Sequence, residues 1–212
     1  MTQPAIGPAA LKVDSLEALR QLYAGPQPRA VKKEIAALDI HCRRFISLSP
    51  FVVLATSDKA HHLDASPRGG APGFVKVTDS GDLLLPDAPG NNRLDSFTNI
   101  VETGRIGLLC LIPGVDETLR INGRAALSTA PDDLARCADA KRTPKVVVRI
   151  AVEEAYLHCA KALMRSRLWD PEAQIDRSAL PSLGQMLRDQ IGDEVMPEPQ
   201  KAMADRYRKQ LY

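Results

Sequence analysis

Apolar positions recur at two different periods along this chain, and the change between them divides it. From Asp14 to Tyr23, Leu16, Leu19 and Tyr23 follow helical spacing, with Asp14 placed to cap and Glu17 to complete a capping box. Gly25, Pro26 and Pro28 end that stretch. A second helix is predicted from about Val31, with Val31, Ile35, Leu38, Cys42 and Phe45 on one stripe, stopping before Pro50. Residues 1–49 therefore form a helical arm.

From Phe51 the period becomes that of strands. FVVLAT, GFVKV and DLLLP are short apolar or alternating runs between Gly, Pro, Asp and Ser clusters. GRIGLLCLIPG is apolar on both faces, which predicts a central strand buried on both sides. TLRINGRAAL alternates: Leu119, Ile121, Ala125 and Leu127 face one way, and Thr118, Arg120, Asn122 and Arg124 face a wet side. After a short helix near Pro131 and Asp132 comes KVVVRIAV, a sixth strand. Six strands with few helices between them predict a mainly β fold with some α, a small antiparallel barrel over 50–160 rather than a doubly wound sheet. Segment 161–212 adds two short helices, Leu180 to Ile191 and Pro199 to Leu211; in the second, Met203, Tyr207 and Leu211 make a narrow apolar stripe that needs a surface to cover. All three parts fit one structural domain.

Composition narrows the function. The chain has 212 residues, 44% hydrophobic and 25% charged, with a formal charge of +2, which excludes disorder and argues against a polyanion partner. One Trp, four Tyr and four Phe offer little for base stacking, so nucleic acid is not an expected partner. Cys42, Cys110, Cys137 and Cys159 form no CxxC pair and are expected as reduced core thiols, with no metal site. Neither a leader pattern nor an apolar run of about 18 residues is present, so a cytoplasmic protein off the membrane is expected.

Three segments could carry chemistry. In PDAPGNNRLDSFTNIVETG, Pro86 ends a strand, Gly90 permits a turn, Asn91 or Asn92 can cap, and Leu94, Phe97 and Val101 continue as a helix from Arg93. A helix start beside a guanidinium suits a phosphate, or it is an ordinary capped helix with Arg93 in solvent. In DASPRGGAPGFVKV, Arg68 stands in a Pro and Gly bracket before a strand, as a ligand-approaching turn or a plain hairpin connection. In HCAKALMRSRLWDP, Lys161, Arg165 and Arg167 crowd near Trp169, suiting a planar anion or forming a solvated face. Lys161 and Arg165 lie four apart, and Ser166 and Trp169 three apart, so one helical turn would present each pair together.

In order, SPRG, PGNNRLDS, LRINGRA and HCxKAxxRSRLW resemble the pyridoxamine 5′-phosphate oxidase superfamily of FMN-binding split barrels, and within it a branch of FMN-dependent flavoproteins, from about Leu38 to Pro171. The resemblance implies a homodimer with FMN at the subunit interface. It implies that Arg68 and Arg93, aided by Asn92, hold the FMN phosphate, while Ser66, Gly69, Pro86 and Asp87 contact the ring and ribityl chain. Thr118 and Arg120 would reach the cofactor of the same or the partner subunit, and Lys161, Arg165 and Ser166 would lie near the isoalloxazine. Arg167 and Trp169 would face a small-molecule substrate, although Trp169 could instead pack under the C-terminal helices. No histidine follows RSRLW, which departs from pyridoxamine phosphate oxidases proper and argues against that substrate. His61 and His62, adjacent on a strand, would face opposite sides and share no metal, and His41 and His158 lack an acid partner in sequence. An FMN-dependent oxidoreductase is the leading expectation; a non-catalytic flavin- or haem-binding protein and a deazaflavin-dependent reductase on the same barrel are the alternatives.

Overall fold

The computed structural model describes residues 12–192 and 196–211; residues 1–11, assigned above to the arm and read for a leader, lie outside the described residues. Two compact units meet in sequence at Ile35 and Ala36. The first holds α1 (Leu16–Leu22) and α2 (Pro28–Lys32), neither with a buried residue. Ser15, rather than Asp14, caps α1, its hydroxyl oxygen accepting from the Ala18 amide at 3.1 Å. The single helix predicted from Val31 is broken, because Asp39 starts a new one: its carboxylate accepts from the Cys42 amide at 2.8 Å and opens α3 (Ile40–Leu48) within the second unit. An Asp side chain that satisfies a free helix-start amide competes with continuing the preceding helix.

The second unit is built on a curled antiparallel sheet with helices at both ends, the expected half-barrel. It has seven strands, not six: β1 (Phe51–Ser57), β2 (Leu63–Gly69), β3 (Lys76–Val77), β4 (Leu83–Pro86), β5 (Arg105–Ile112), β6 (Val115–Ser128) and β7 (Val147–His158), ordered β2-β1-β5-β6-β7-β4-β3. The added strand is LDASPRG. Its Pro67 cannot donate to a ladder, yet β2 is an edge strand, where one amide-free position is tolerated. The predicted GFVKV strand shrinks to two residues in β3.

The inner face buries Val52, Leu54, Leu119, Ile121, Val148 and Ile150 nearly completely. β5 is not buried on both faces as predicted. Ile106, Leu108 and Cys110 point into the core, whereas Gly107, Leu109 and Leu111 are only partly covered. The outer face of β1 and β5 is therefore apolar without being sealed by its own chain. α4 (Asp95–Thr103) closes the inner side, whereas α5 (Pro131–Cys137) packs Leu134 and Cys137 against Leu84 and Val147 on the opposite face of β4 and β7. α4 turns Ser96, Asn99 and Ile100 inward, with Asn99 Nδ2 donating to Thr56 Oγ1 at 3.0 Å; Leu94 and Val101 of the predicted stripe face solvent. Polar pairing with β1, together with the buried Ile100, sets the face here.

After β7 come α6 (Lys161–Ser166), two single 3-10 turns, α7 (Leu183–Ile191) and α8 (Gln200–Gln210). The Gln200 side-chain oxygen accepts from the Leu183 amide and from Arg177, both at 3.2 Å, joining the last two helices. On α8, Met203 is half-buried, while Tyr207 and, just past the helix, Leu211 are exposed. Three thiols are buried and unpaired, and burial pushes Cys42 and Cys137 up to about 11 and Cys110 up to about 12. Cys159 is exposed, contrary to its expected place in the core, because it falls just beyond the end of β7. Among the described residues, no helix is long and apolar enough to cross a membrane.

Candidate functional site

Strand alternation on β2 lines up Asp64, Ser66 and Arg68 on one side. Their ladder partners are Thr56, Leu54 and Val52, all inward, so this row faces the space beneath α4. There a cleft of about 260 Å³ is lined by Asp64, Ser66, Arg68, Asn92, Arg93 and Ser96, among others. Arg68 Nη2 donates to Ser96 Oγ at 3.4 Å, and Ser96 Oγ donates to Asp64 Oδ2 at 2.5 Å. The Arg68 guanidinium also lies 5.9 Å from the centre of the Phe97 ring. Arg93 donates through Nε to Asp95 Oδ2 at 2.9 Å, which raises its already high pKa.

The helix start differs from the prediction. Asn91 Oδ1 accepts from the Arg93 amide, Asn92 and Leu94 are left-handed (φ 60° and 59°), and α4 begins at Asp95 with no side-chain cap. Its first amides are left for another acceptor, beside two arginines. These donors fit a phosphate ester. The cleft is below the roughly 300–1,000 Å³ of a complete small-molecule site, so it suits the phosphate end of a larger ligand.

A second and larger pocket, about 460 Å³, opens on the other side of the sheet. Val53, Ala55, Gly107 and Leu109 supply an apolar floor; Arg120, Asn122 and His158 supply polar edges; Thr118 is buried beside Ala162 and Leu163 of α6. Arg120 stacks over the Tyr156 ring, 5.1 Å from its centre.

Other predicted residues fall elsewhere. Gly69, Pro86 and Asp87 line a small separate cleft with Arg142, which donates to the Asp87 carbonyl oxygen and approaches its carboxylate at 3.6 Å. Lys161 and Arg165 are exposed on α6, and the Ser166 hydroxyl donates to the Leu163 carbonyl at 3.0 Å. Arg167 ends the helix in a left-handed conformation (φ 51°), so Ser166 and Trp169 do not share a helical face as the spacing suggested. Its guanidinium is engaged with Asp170 at 2.6 Å and Glu172 at 3.2 Å. Trp169 Nε1 donates to the Val115 carbonyl at 2.9 Å, which ties the indole to the β5–β6 hairpin. His61 and His62 lie in the turn between β1 and β2, not on a strand; His62 Nδ1 pairs with Asp58 at 2.8 Å, which lowers the Asp58 pKa. No group of three or more metal-ligating side chains occurs among the described residues.

The sequence profile of the family described as pyridoxamine 5′-phosphate oxidase matches residues 38–159. The chain belongs to this family. Among curated proteins none matches significantly. Solved structures similar to it include HupZ of Group A Streptococcus, with 16% identity over 57% of this chain and 93% of that one and a TM-score of 0.47. An FAD-binding protein of Mycobacterium smegmatis is 14% identical over 58% and 97% of the two chains, with a TM-score of 0.42. An F420 reductase is 12% identical over 55% and 94%, with a TM-score of 0.39.

For this family member, the matched region contains the inner cleft and all of the outer pocket except Ala162 and Leu163, stopping just before α6. Asp64 and Ser96 in the inner cleft, and Asn122 and His158 in the outer pocket, were not singled out as site residues from the sequence. Asp64 had a signal: Asp64, Ser66 and Arg68 alternate, which marks a strand once Pro67 is allowed at an edge.

Proposed function

We propose that this protein is an FMN-dependent oxidoreductase that works as a homodimer, binding the flavin between two copies. The observation that carries this reading is the separation of two half-sites. The inner cleft has the donors for a phosphate but little room, whereas the outer pocket has an apolar floor and the volume for a ring system. They open on opposite faces of one sheet, so one copy's cleft must meet another copy's outer face for a single ligand to use both. The uncovered apolar face of β1 and β5, with Val53, Leu109 and Leu111, is the surface such a contact would seal.

In this reading Arg68 and Arg93, aided by Asn92, hold the phosphate together with the open amides of α4, and Ser66 contacts the ribityl side. Arg93 spends Nε on Asp95, leaving its terminal nitrogens for the ligand. Thr118, Arg120 and Asn122 face the ring in the other copy. FMN, when bound, supplies hydride transfer at N5. Lys161 and Arg165 add positive charge at the α6 edge of the outer pocket, which favours a reduced, anionic flavin. Arg167, tied to two acids, and Trp169, tied to Val115, frame the substrate side through α6 and the hairpin.

The test is an absorbance spectrum of freshly purified protein, followed by release and mass determination of the chromophore. Flavin bands near one FMN per chain support the proposal, as does reduction by NADH or NADPH. A Soret band, or no flavin uptake after incubation with FMN, overturns it.

A further inference from the structure

β7 changes parity part-way along. Asn122 of β6 pairs with Glu154, but the next residue, Gly123, pairs with Val152, so Glu153 is an extra residue, a β-bulge. Before it, Val148 and Ile150 point inward and are buried, and Ala151 points out. Beyond it Ala155 is the inward, fully buried residue. Glu154, Tyr156 and His158 are paired with Asn122, Arg120 and Thr118 and share their outward side. Without the extra residue, the alternation that buries Val148 and Ile150 would turn these three polar side chains into the core.

That switch furnishes the polar edge of the outer pocket. Tyr156 supports the Arg120 guanidinium, Glu154 Oε2 accepts from Asn122 Nδ2 at 2.5 Å, and His158 lines the pocket directly. Two features hold the bulge in place. A Cβ on Gly123 would overlap the Ala151 carbonyl oxygen, so only glycine fits opposite it. Arg105 and Arg124 are direct cross-strand partners, an arrangement that repels unless an anion lies between them. Glu153 is that anion, accepting from Arg105 Nη1 through Oε2 and from Arg124 Nε through Oε1, both at 2.8 Å. All three side chains are largely exposed, so the ion pairs themselves add little to stability and their consequence is geometric.

We propose that Glu153 is a positioning residue for the outer pocket: by bridging Arg105 and Arg124 it fixes the bulge that aims Glu154, Tyr156 and His158 at the ligand ring. This rests on the reading that the outer pocket receives a flavin ring. The experiment compares wild type, Glu153→Lys and the double variant Glu153→Lys/Arg105→Glu, which restores one acid between two bases. Titration with FMN and with riboflavin is read beside the melting temperature and the cross-strand amide NOEs between β6 and β7. Glu153→Lys is expected to weaken both flavins alike, on the order of tenfold, and to lower the melting temperature, because a lost bulge turns polar side chains of β7 toward the core. The NOE pairing of Asn122 with Glu154 is expected to be lost, and the double variant to recover both. Unchanged flavin affinity, or an intact Asn122–Glu154 NOE in Glu153→Lys, overturns the proposal. If wild type binds neither flavin, the flavin reading falls, and the NOE pattern still decides whether Glu153 sets the register.

Discussion

Arg68 and Arg120 stand on opposite faces of one sheet. Arg68 is the ladder partner of Val52, whose side chain is fully buried, while Arg120 is the partner of Leu109, which points outward. Two residues assigned to one cofactor by sequence motif therefore cannot meet within one chain. Their separation is the reason the proposed site calls on a second copy of the chain.

Arg68→Ala and Arg93→Ala should weaken FMN far more than riboflavin. A charge-assisted hydrogen bond to phosphate is worth about 1.5–3 kcal/mol net, or roughly 10- to 100-fold in affinity. Fluorescence titration with both ligands checks this. Equal losses for the two would remove these side chains from the phosphate.

Subunit mixing tests the shared site directly. Homodimers of Arg68→Ala and of Arg120→Ala should each bind FMN poorly. A heterodimer of the two has one interface site carrying both changes and one carrying neither. Mixing with exchange of subunits should recover part of the lost flavin binding, measured by bound absorbance after gel filtration. No recovery, with heterodimers shown to form, would place both arginines at a site within one chain.

Much of this architecture was legible in the sequence because burial writes itself as period. The run FVVLAT and the alternation in TLRINGRAAL gave β1 and β6 within a few residues. β2 was hidden because Pro67 disguises a strand that only an edge position permits. The outward set of Glu154, Tyr156 and His158 was hidden for another reason: one extra residue in β7 inverts the parity that KVVVRIAV announces. At the site, PGNNRLDS placed Arg93 and Asn92 at the inner cleft. Cross-strand neighbours such as Asn122 needed the register, which pattern alone does not contain.

Trp169→Phe should destabilise the protein by about 1 kcal/mol through loss of the hydrogen bond from Nε1 to the Val115 carbonyl, because the orphaned acceptor is partly buried. Trp169→Ala should cost more, since the ring's packing on the β5–β6 hairpin goes too. Urea unfolding followed by circular dichroism measures both. If Trp169→Phe leaves stability untouched while altering flavin reduction or fluorescence, the indole acts on the ligand side rather than as a brace.

Acid should loosen α3 through Asp39. Hydrogen bonding from the Cys42 amide holds the Asp39 carboxyl below its ordinary value of 3.8. Its stabilising contribution is therefore complete above that value and is lost as pH falls through the lower, folded-state value, where the cap becomes protonated. Asp39→Ala should cost about 1 kcal/mol at neutral pH, as expected for removal of an N-cap, and less in acid. Asp39→Asn keeps an acceptor oxygen without a titrating group, so its stability relative to wild type should improve as pH drops below about 4. Thermal melts of the three proteins from pH 2.5 to 7 decide this. The proposed cap energetics fail if the gap between wild type and Asp39→Asn stays constant across that range.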